Sequence, residues 1–502
     1  MVDWLVKKPM FICGMGCIII SLTGFCYKSA VVIIAALTGV VIALLIYRKA
    51  NAKYVFTSIL IFVMCLSCLL TLNKIKKLNY HTGSKFKAEL TVCDISYKAD
   101  EYYIATAQVM KSDRLPKGTK ITVFYEPSEL CIGQKITADI KVKAVDEKYK
   151  KSNYSEGIYL QANMSNILVS ENYDFVLTTA EKVRNYIKNT LFGHLDYREA
   201  STLCALIFGE KGYFTDEFYS CVKAAGVSHV MVVSGMHMAI LVSLFVKILE
   251  KLFYNRFAKA FTVIGIVLFL WVLCGFTMSV LRAGMTYAIM AIGIMLDRKG
   301  TPENTLSAAV SLILIASPFA IFSVSLQLSL LSTFGILVIA LPVMDYLKRN
   351  KTIRSKLLNA VITSVVFSLS ATVMTLPVTI YMFGCISTVS VISNLLISSA
   401  VTAALSVAVV GLIVNVIVPF MAMPVFKVSG LLAKYINYVI EYLGSLPFAV
   451  KQMPEYTAYI AIFIIFALFT LLLACKKRSN MLKLEAMNEK IIKEGGGKLK
   501  WR

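Results

Sequence analysis

The sequence predicts a polytopic α-helical membrane protein with an inserted extracytoplasmic small β-barrel of OB-like type. Three observations predict it. Hydrophobic residues make up 58% of the 502-residue chain, against roughly 45–50% in soluble domains, and the mean hydropathy is +0.71. The apolar residues fall in runs close to the ~20 needed to cross a hydrocarbon core. One stretch, 73–180, breaks that regime with short alternating runs of polar and apolar residues.

The N-terminal region, 1–72, holds three apolar runs at 9–26, 30–46 and 54–72. The basic link YRKANAK at 47–53 predicts a cytoplasmic loop, because Lys and Arg accumulate on that side. This puts the N-terminus in the cytoplasm and the chain outside after residue 72. Lys7 and Lys8 precede the first apolar run as in a signal peptide, but no small-residue cleavage site follows, so a retained anchor is expected.

Residues 73–180 contain KFKAELTVCDI, YYIATAQVM, TKITVFYE and KITADIKVKAV, separated by PKG, EPS and IGQ. Enrichment in Val, Ile, Thr and Tyr with period-two alternation predicts four or five half-buried strands. That number suits a small closed barrel of OB type. Cys93 and Cys131 lie in this polar segment, and an extracytoplasmic location makes a disulfide between them the expectation.

Residues 181–475 read as a multi-span domain, with candidate spans at 227–249, 261–274, 280–296, 306–321, 326–343, 358–383, 389–420 and 456–473. Basic loops at 247–259, 297–300, 345–356 and 476–479 are expected in the cytoplasm. The last of these requires one more crossing: either 389–420 crosses twice or 425–447 crosses. Residues 476–502 form a basic cytoplasmic tail.

Lys and Arg outnumber Asp and Glu by 52 to 29, a net charge of +23. Positive-inside loops explain this excess before nucleic acid need be invoked. Only four histidines are present, and no Cys pair accompanies a His cluster, so no metal site or cofactor is predicted.

The most unusual segment is AGVSHVMVVSGMHMAIL, which puts Ser228, His229, Ser234, Gly235 and His237 at the start of an apolar span. Polar groups there cost free energy unless paired. A nucleophile elbow would need glycine two residues before Ser234, where Val232 stands. On one helix His229 and His237 would be about 80° apart, and no carboxylate lies between them, which argues against a zinc protease. The group either hydrogen-bonds across helices or touches a substrate. In CGFTMSVLRAGM, Ser279 and Arg282 open the next polar cluster. Arg282 either snorkels to the interface or attracts anions at a pore mouth. Gln327 and Asn394, each among serines, serve as helix-contact glue or line a hydrated path. Pro377 is expected to kink or break its helix.

Four of these blocks, in order, resemble the ComEC-type competence family. The first is Gly226, Ser228, His229, Ser234, Gly235 and His237. The second is Ser279, Arg282 and Ala283. The third is the segment 304–336, and the fourth is Pro377, Phe383, Gly384, Ser387 and Asn394. YSEGIYLQANM at 154–164 extends the likeness into the barrel. The resemblance implies a channel carrying single-stranded DNA across the cytoplasmic membrane during natural transformation. It also implies partners: single-stranded DNA, membrane lipid, an exported DNA receptor, pilus machinery and a cytosolic ATPase or helicase motor. A homo-oligomer is left open. Many family members continue into a metallo-β-lactamase-like domain with an H-x-H-x-D-H motif. This sequence carries no such motif, so the likeness is to a short form, and no catalytic residue carries over. EGGGKLK at 494–500 lacks the spacing of a phosphate-binding loop, and no enzyme activity is expected. Two rival functions stand beside the channel: a small-solute transporter and an intramembrane hydrolase using Ser234 and His237 of the 228–237 segment.

Overall fold

The computed structural model describes residues 17, 18, 20, 21, 52–98, 103–126, 130–231, 233–249, 255–275, 277–298, 300–349 and 355–465. The predicted span at 30–46, most of that at 9–26, and the tail 476–502 lie outside them. Two compact units account for the chain. One runs to Leu330 and includes Ser387–Ala449; the other comprises Leu331–Ile386 and the residues from Val450 onward.

In the first unit, α1 (Ala52–Asn79) leads into five strands, β1 (Lys85–Lys98), β2 (Tyr103–Ser112), β3 (Lys120–Tyr125), β4 (Gln134–Ala144) and β5 (Ile158–Tyr173), with a short α2 (Lys150–Ser155) before the last. The strands close into a barrel of order β1-β2-β3-β5-β4. All pairings are antiparallel except that of β3 with β5. A parallel pair needs a crossover, and β4 with α2 supplies it. Alternation dictates the inside. Along β4, Ile136, Ala138, Ile140 and Val142 are buried while Lys141 and Lys143 are exposed, as a two-residue side-chain period requires. Alanines at 105, 107, 138 and 162 alternate with Leu90, Val92, Ile121 and Leu160, and this mix of small and large residues fills a narrow barrel.

Only Asp174 separates β5 from α3 (Phe175–His194). Its carboxylate accepts from the amides of Val176 (3.1 Å) and Leu177 (3.0 Å), an N-cap that satisfies two of the helix's orphan donors. The Asp174 amide donates to Gly133 O at 2.7 Å, and the Gly133 amide to Val92 O at 2.8 Å. The β4-side turn is thereby tied to both β1 and α3. Cys93 and Cys131, which flank this junction, are free thiols in the structure, so the predicted disulfide is not formed there.

The helical part of this unit continues with α4 (Tyr197–Phe208), α5 (Asp216–Ala224), α6 (Gly235–Leu249), α7 (Arg256–Leu273), α8 (Met278–Met295) and α9 (Pro302–Ala316). A 3-10 turn at Pro318–Phe322 then precedes α10 (Val324–Gly335). Residues 200–208 of α4 are all buried, Ser201 and Thr202 included, so other elements enclose this part of the helix on every side. Around it pack α13 (Ser390–Ile417) and α14 (Pro419–Gly444). Thr202 Oγ donates to Asn437 Oδ1 at 2.7 Å and Asn437 Nδ2 to Arg198 O at 3.3 Å, a buried polar link between α4 and α14.

The second unit contains the end of α10, a π turn at Ile336–Ala340, α11 (Leu341–Arg349), α12 (Lys356–Phe383) and a small ribbon formed by β6 (Cys385–Ser387) and β7 (Val450–Gln452). Pro377 is buried within α12, which remains a single helix of 28 residues. The expected break does not occur. Proline removes one donor, a loss of one ladder bond that helices in apolar surroundings tolerate. The hydroxyls of Thr375 and Thr379 each bond backbone carbonyls one turn back.

Among the described residues, six helices are long and apolar enough to cross a membrane by length and composition. Two sequence expectations change and one pair of alternatives narrows. The predicted span at 227–249 is helical only from Gly235, so α6 has 15 residues, about 22 Å against a hydrocarbon core of ~30 Å. The predicted span at 306–321 ends as α-helix at Ala316, where Ser317 and Pro318 stop it. Of the two alternatives for 389–447, the helix boundaries favour the second: Ser390–Ile417 is one unbroken helix and α14 is a separate one.

Candidate functional site

The site begins where α5 ends. The Val227 amide bonds Val222 O (3.2 Å) and the Gly226 amide bonds Lys223 O (3.0 Å). This is the double closure of a Schellman cap, whose C′ residue must be left-handed. Gly226 supplies it with φ +72°. A Cβ here would also stand 2.6 Å from Ser390 Cβ and 2.7 Å from Ser387 Cβ. Ser387 Oγ in turn donates to Ala224 O at 2.7 Å. The first and fourth sequence blocks thus meet at a glycine that no other residue replaces without strain.

At Val227–Met231, Val233 and Ser234 the chain is irregular. Val227, Val230, Met231 and Val233 are buried anchors, whereas His229 is exposed and Ser228 and Ser234 are half-buried. His229 and His237 therefore do not share a helix, which replaces the angular separation expected from the sequence.

The start of α6 is built by Ser234 and His237. The Ser234 amide donates to His237 Nδ1 at 3.1 Å, and Ser234 Oγ lies 3.4 Å from the same nitrogen. This is the side-chain-to-N-cap half of a capping box, with histidine in the place of glutamate. An accepting Nδ1 carries no proton, so the fully buried ring has its hydrogen on Nε2 when neutral. The next residue, Gly235, lies under a guanidinium. Arg282 Nη2 is 2.8 Å from the point where a Gly235 Cβ would be, which joins the first and second blocks.

Arg282 is only 8% exposed, so protein covers it and the snorkelling alternative falls. Its Nε has no hydrogen-bond partner, and it takes part in none of the ion pairs among the described residues. Ser279 is buried one turn earlier on α8. The Trp271 indole donates to Val280 O at 3.1 Å and locks α7 to this turn.

The other predicted residues lie apart from this cluster or at its edge. Gln327 donates to Ile321 O at 2.8 Å and closes the junction of the 3-10 turn with α10. Asn394 is half-buried one turn beyond Ser390 on α13, and its carbonyl accepts from Ser398 Oγ. Pro377 belongs to the second unit. The sequence reading missed Arg184, whose Nε and Nη2 donate to Leu273 O (2.6 Å) and Val272 O (3.2 Å) at the end of α7, while Nη1 pairs with Glu181 at 3.3 Å. The Glu181–Arg184 spacing was its one visible signal. Among the described residues no group of three or more His, Cys, Asp or Glu could hold a metal ion. A surface cleft of about 370 Å³ lined by Arg198, Tyr438, Glu441 and Tyr442 contains none of the predicted residues.

Comparison with known proteins follows the same blocks. The competence protein family model matches residues 206–478, more than half of the chain and the whole of the segment that carries Gly226, Gly235 and Arg282. ComE operon protein 3 of Bacillus subtilis (strain 168) is 24% identical over 337 residues, which is 65% of this chain and 42% of that protein. The chain thus spans less than half the length of that relative. No solved structure matches. With the family model covering most of the helical part and the relative agreeing with it, the chain belongs to the competence protein family and is of the ComEC type.

Proposed function

We propose that the chain forms a path for single-stranded DNA across the cytoplasmic membrane during the uptake of external DNA. Family membership supports a role in competence. The observation that carries the reading further is the irregular backbone at Val227–Met231, Val233 and Ser234 ahead of a 15-residue helix. In hydrocarbon, non-helical backbone survives only where protein encloses it or water reaches it. Here valines and Met231 enclose it in protein, and on this reading the exposed His229 is where water meets it. A polyanion needs such a wet, protein-lined route, because bare charge in lipid is costly.

On this reading the protein is multi-pass with its N-terminus in the cytoplasm. The barrel is OB-like, as its strand order with a parallel β3–β5 pair supports, and receives the strand outside. An exported DNA receptor, pilus machinery and a cytosolic motor are the partners that such a path requires, because neither a motor nor a phosphate-binding loop is evident in the sequence. The chain acts as a conduit and not as an enzyme. The Ser234–His237 pair supports this, because the one lone pair on Nδ1 that would serve as base already accepts the Ser234 amide.

A small-solute transporter is the second reading, favoured by the shortened helices α6 and α9, since transporters interrupt helices at their binding sites. One experiment separates the two. The gene is deleted in a transformable host, and DNA bound outside and DNA delivered inside are tracked separately. Surface binding kept with delivery lost supports the path; normal delivery overturns it.

A further inference from the structure

We infer that Arg282 and the first turn of α6 form a binding site for one phosphodiester oxyanion of the transported strand. This rests on the DNA-path reading for the source of the oxyanion, and on geometry alone for the site.

Three independent features converge. First, the amides that open α6, at Gly235 and Met236, have no acceptor within their own helix and carry the positive end of its dipole. Second, Arg282 presses on that end, with Nη2 against the bare Cα side of Gly235. Its guanidinium stays protonated in any protein setting. It is more than nine-tenths buried, and its Nε lacks a partner. Third, Arg282 sits four residues into α8, and helical side chains lean toward their own N-terminus. The positive end of α8 therefore faces the same spot. His237 adds no compensating charge, since its accepting Nδ1 marks a neutral ring. No carboxylate among the described residues pairs with Arg282.

Arg184 in the same unit shows how the fold treats an arginine that it satisfies internally. That guanidinium takes two carbonyls at the negative end of α7 and one carboxylate. Arg282 is placed instead by the starts of α6 and α8, whose dipoles disfavour a cation and attract an anion. A phosphodiester fits because it has two charged non-bridging oxygens. One engages the planar guanidinium fork and the other takes the α6 amides. A single such site at a narrow place holds a phosphate briefly and lets the next replace it, as conduction requires.

The test uses the full chain purified in phosphate-free, uncharged detergent. The probes are dimethyl phosphate, an oligothymidylate octamer carrying a fluorophore, and phosphatidylglycerol doped into the micelles. Dimethyl phosphate and the octamer are expected to raise the unfolding temperature, and phosphatidylglycerol is not. Arg282→Gln is expected to weaken octamer binding roughly tenfold or more, the size of a lost charge-assisted fork, with Arg282→Lys in between. Without ligand, Arg282→Gln should unfold no earlier than wild type, because it removes an unpaired buried charge; a merely structural arginine would lower the unfolding temperature. Should Arg282→Gln fail to fold, Gly235→Ala carries the test: its new Cβ displaces Nη2 and must weaken the octamer. Octamer binding unchanged in Arg282→Gln or Gly235→Ala overturns the site, and so does stabilisation by phosphatidylglycerol alone. Arg282-dependent binding in a protein that never passes strands into vesicles with a motor and a gradient would instead remove the DNA path and leave the site.

Discussion

Gly226→Ala measures how tightly the two ends of the site are clamped. The substitution acts twice. The left-handed φ of +72° costs an L-residue roughly 1–2 kcal/mol. The new Cβ then stands 2.6 Å from Ser390 Cβ and 2.7 Å from Ser387 Cβ, and forcing a methyl into filled space costs about 1–3 kcal/mol. Loss of unfolded-state freedom returns about 0.4–1 kcal/mol. Gly275→Ala is the matched control. Its φ is +76°, but the nearest atom to the added Cβ, Arg184 Nη2, is at 3.5 Å, an ordinary contact. Backbone strain and unfolded-state terms cancel between the two variants, which leaves the steric term, about 1–3 kcal/mol, as the expected difference. Reversible unfolding in mixed detergent and dodecyl sulfate, run side by side, reads it. Equal destabilisation of the two variants would refute the claim that Gly226 is held between Ser387 and Ser390.

Three further outcomes are expected. Thr202→Val deprives the buried Asn437 Oδ1 of its 2.7 Å donor and should cost about 1–3 kcal/mol in the same unfolding assay, with part returned when Asn437→Leu is added. Arg184→Met frees the last carbonyls of α7 and leaves Glu181 with Lys188 alone, at 4.0 Å; faster hydrogen exchange over residues 272–275 is the readout, and Arg184→Lys should recover part of the protection. In the reduced protein, iodoacetamide should label the exposed Cys131 before Cys93, because Cys93 is half-buried and burial pushes its thiol up. Less thiolate at a given pH means slower attack, so the Cys93 rate should climb as pH rises past the usual thiol range. Equal rates by peptide mass spectrometry at neutral pH would contradict the burial.

What the sequence revealed follows from which forces are local. Strand alternation in KITADIKVKAV is local, and β4 follows it residue by residue. Long apolar runs such as Ser390–Ile417 likewise declare a helix. The unwound stretch before α6 was hidden because VSHVMVV is apolar enough to pass for the start of a span. The Ser234-x-x-His237 spacing was the available stop sign, had histidine been counted as a capping acceptor. Pro318 similarly announces the end of α9. The burial of α4 was not legible. The run LCALIF at its end looks alike whether lipid or other helices surround it, and only the packing of α13 and α14 decides. The contacts of Gly226 with Ser387 and of Gly235 with Arg282 join positions far apart in the chain. Nothing in a single sequence encodes such pairs beyond the oddness of each member.

The one-residue joint at Asp174 has a mechanical corollary. A barrel fastened through Gly133 and Asp174 has no tether to swing on, so a pull applied to its strands loads α3 at once. From there Arg184 grips the tail of α7, and only a short turn separates that tail from the helix bearing Arg282. Splicing a few flexible residues in after Tyr173 would slacken this linkage and turn a stiff lever into a loose leash.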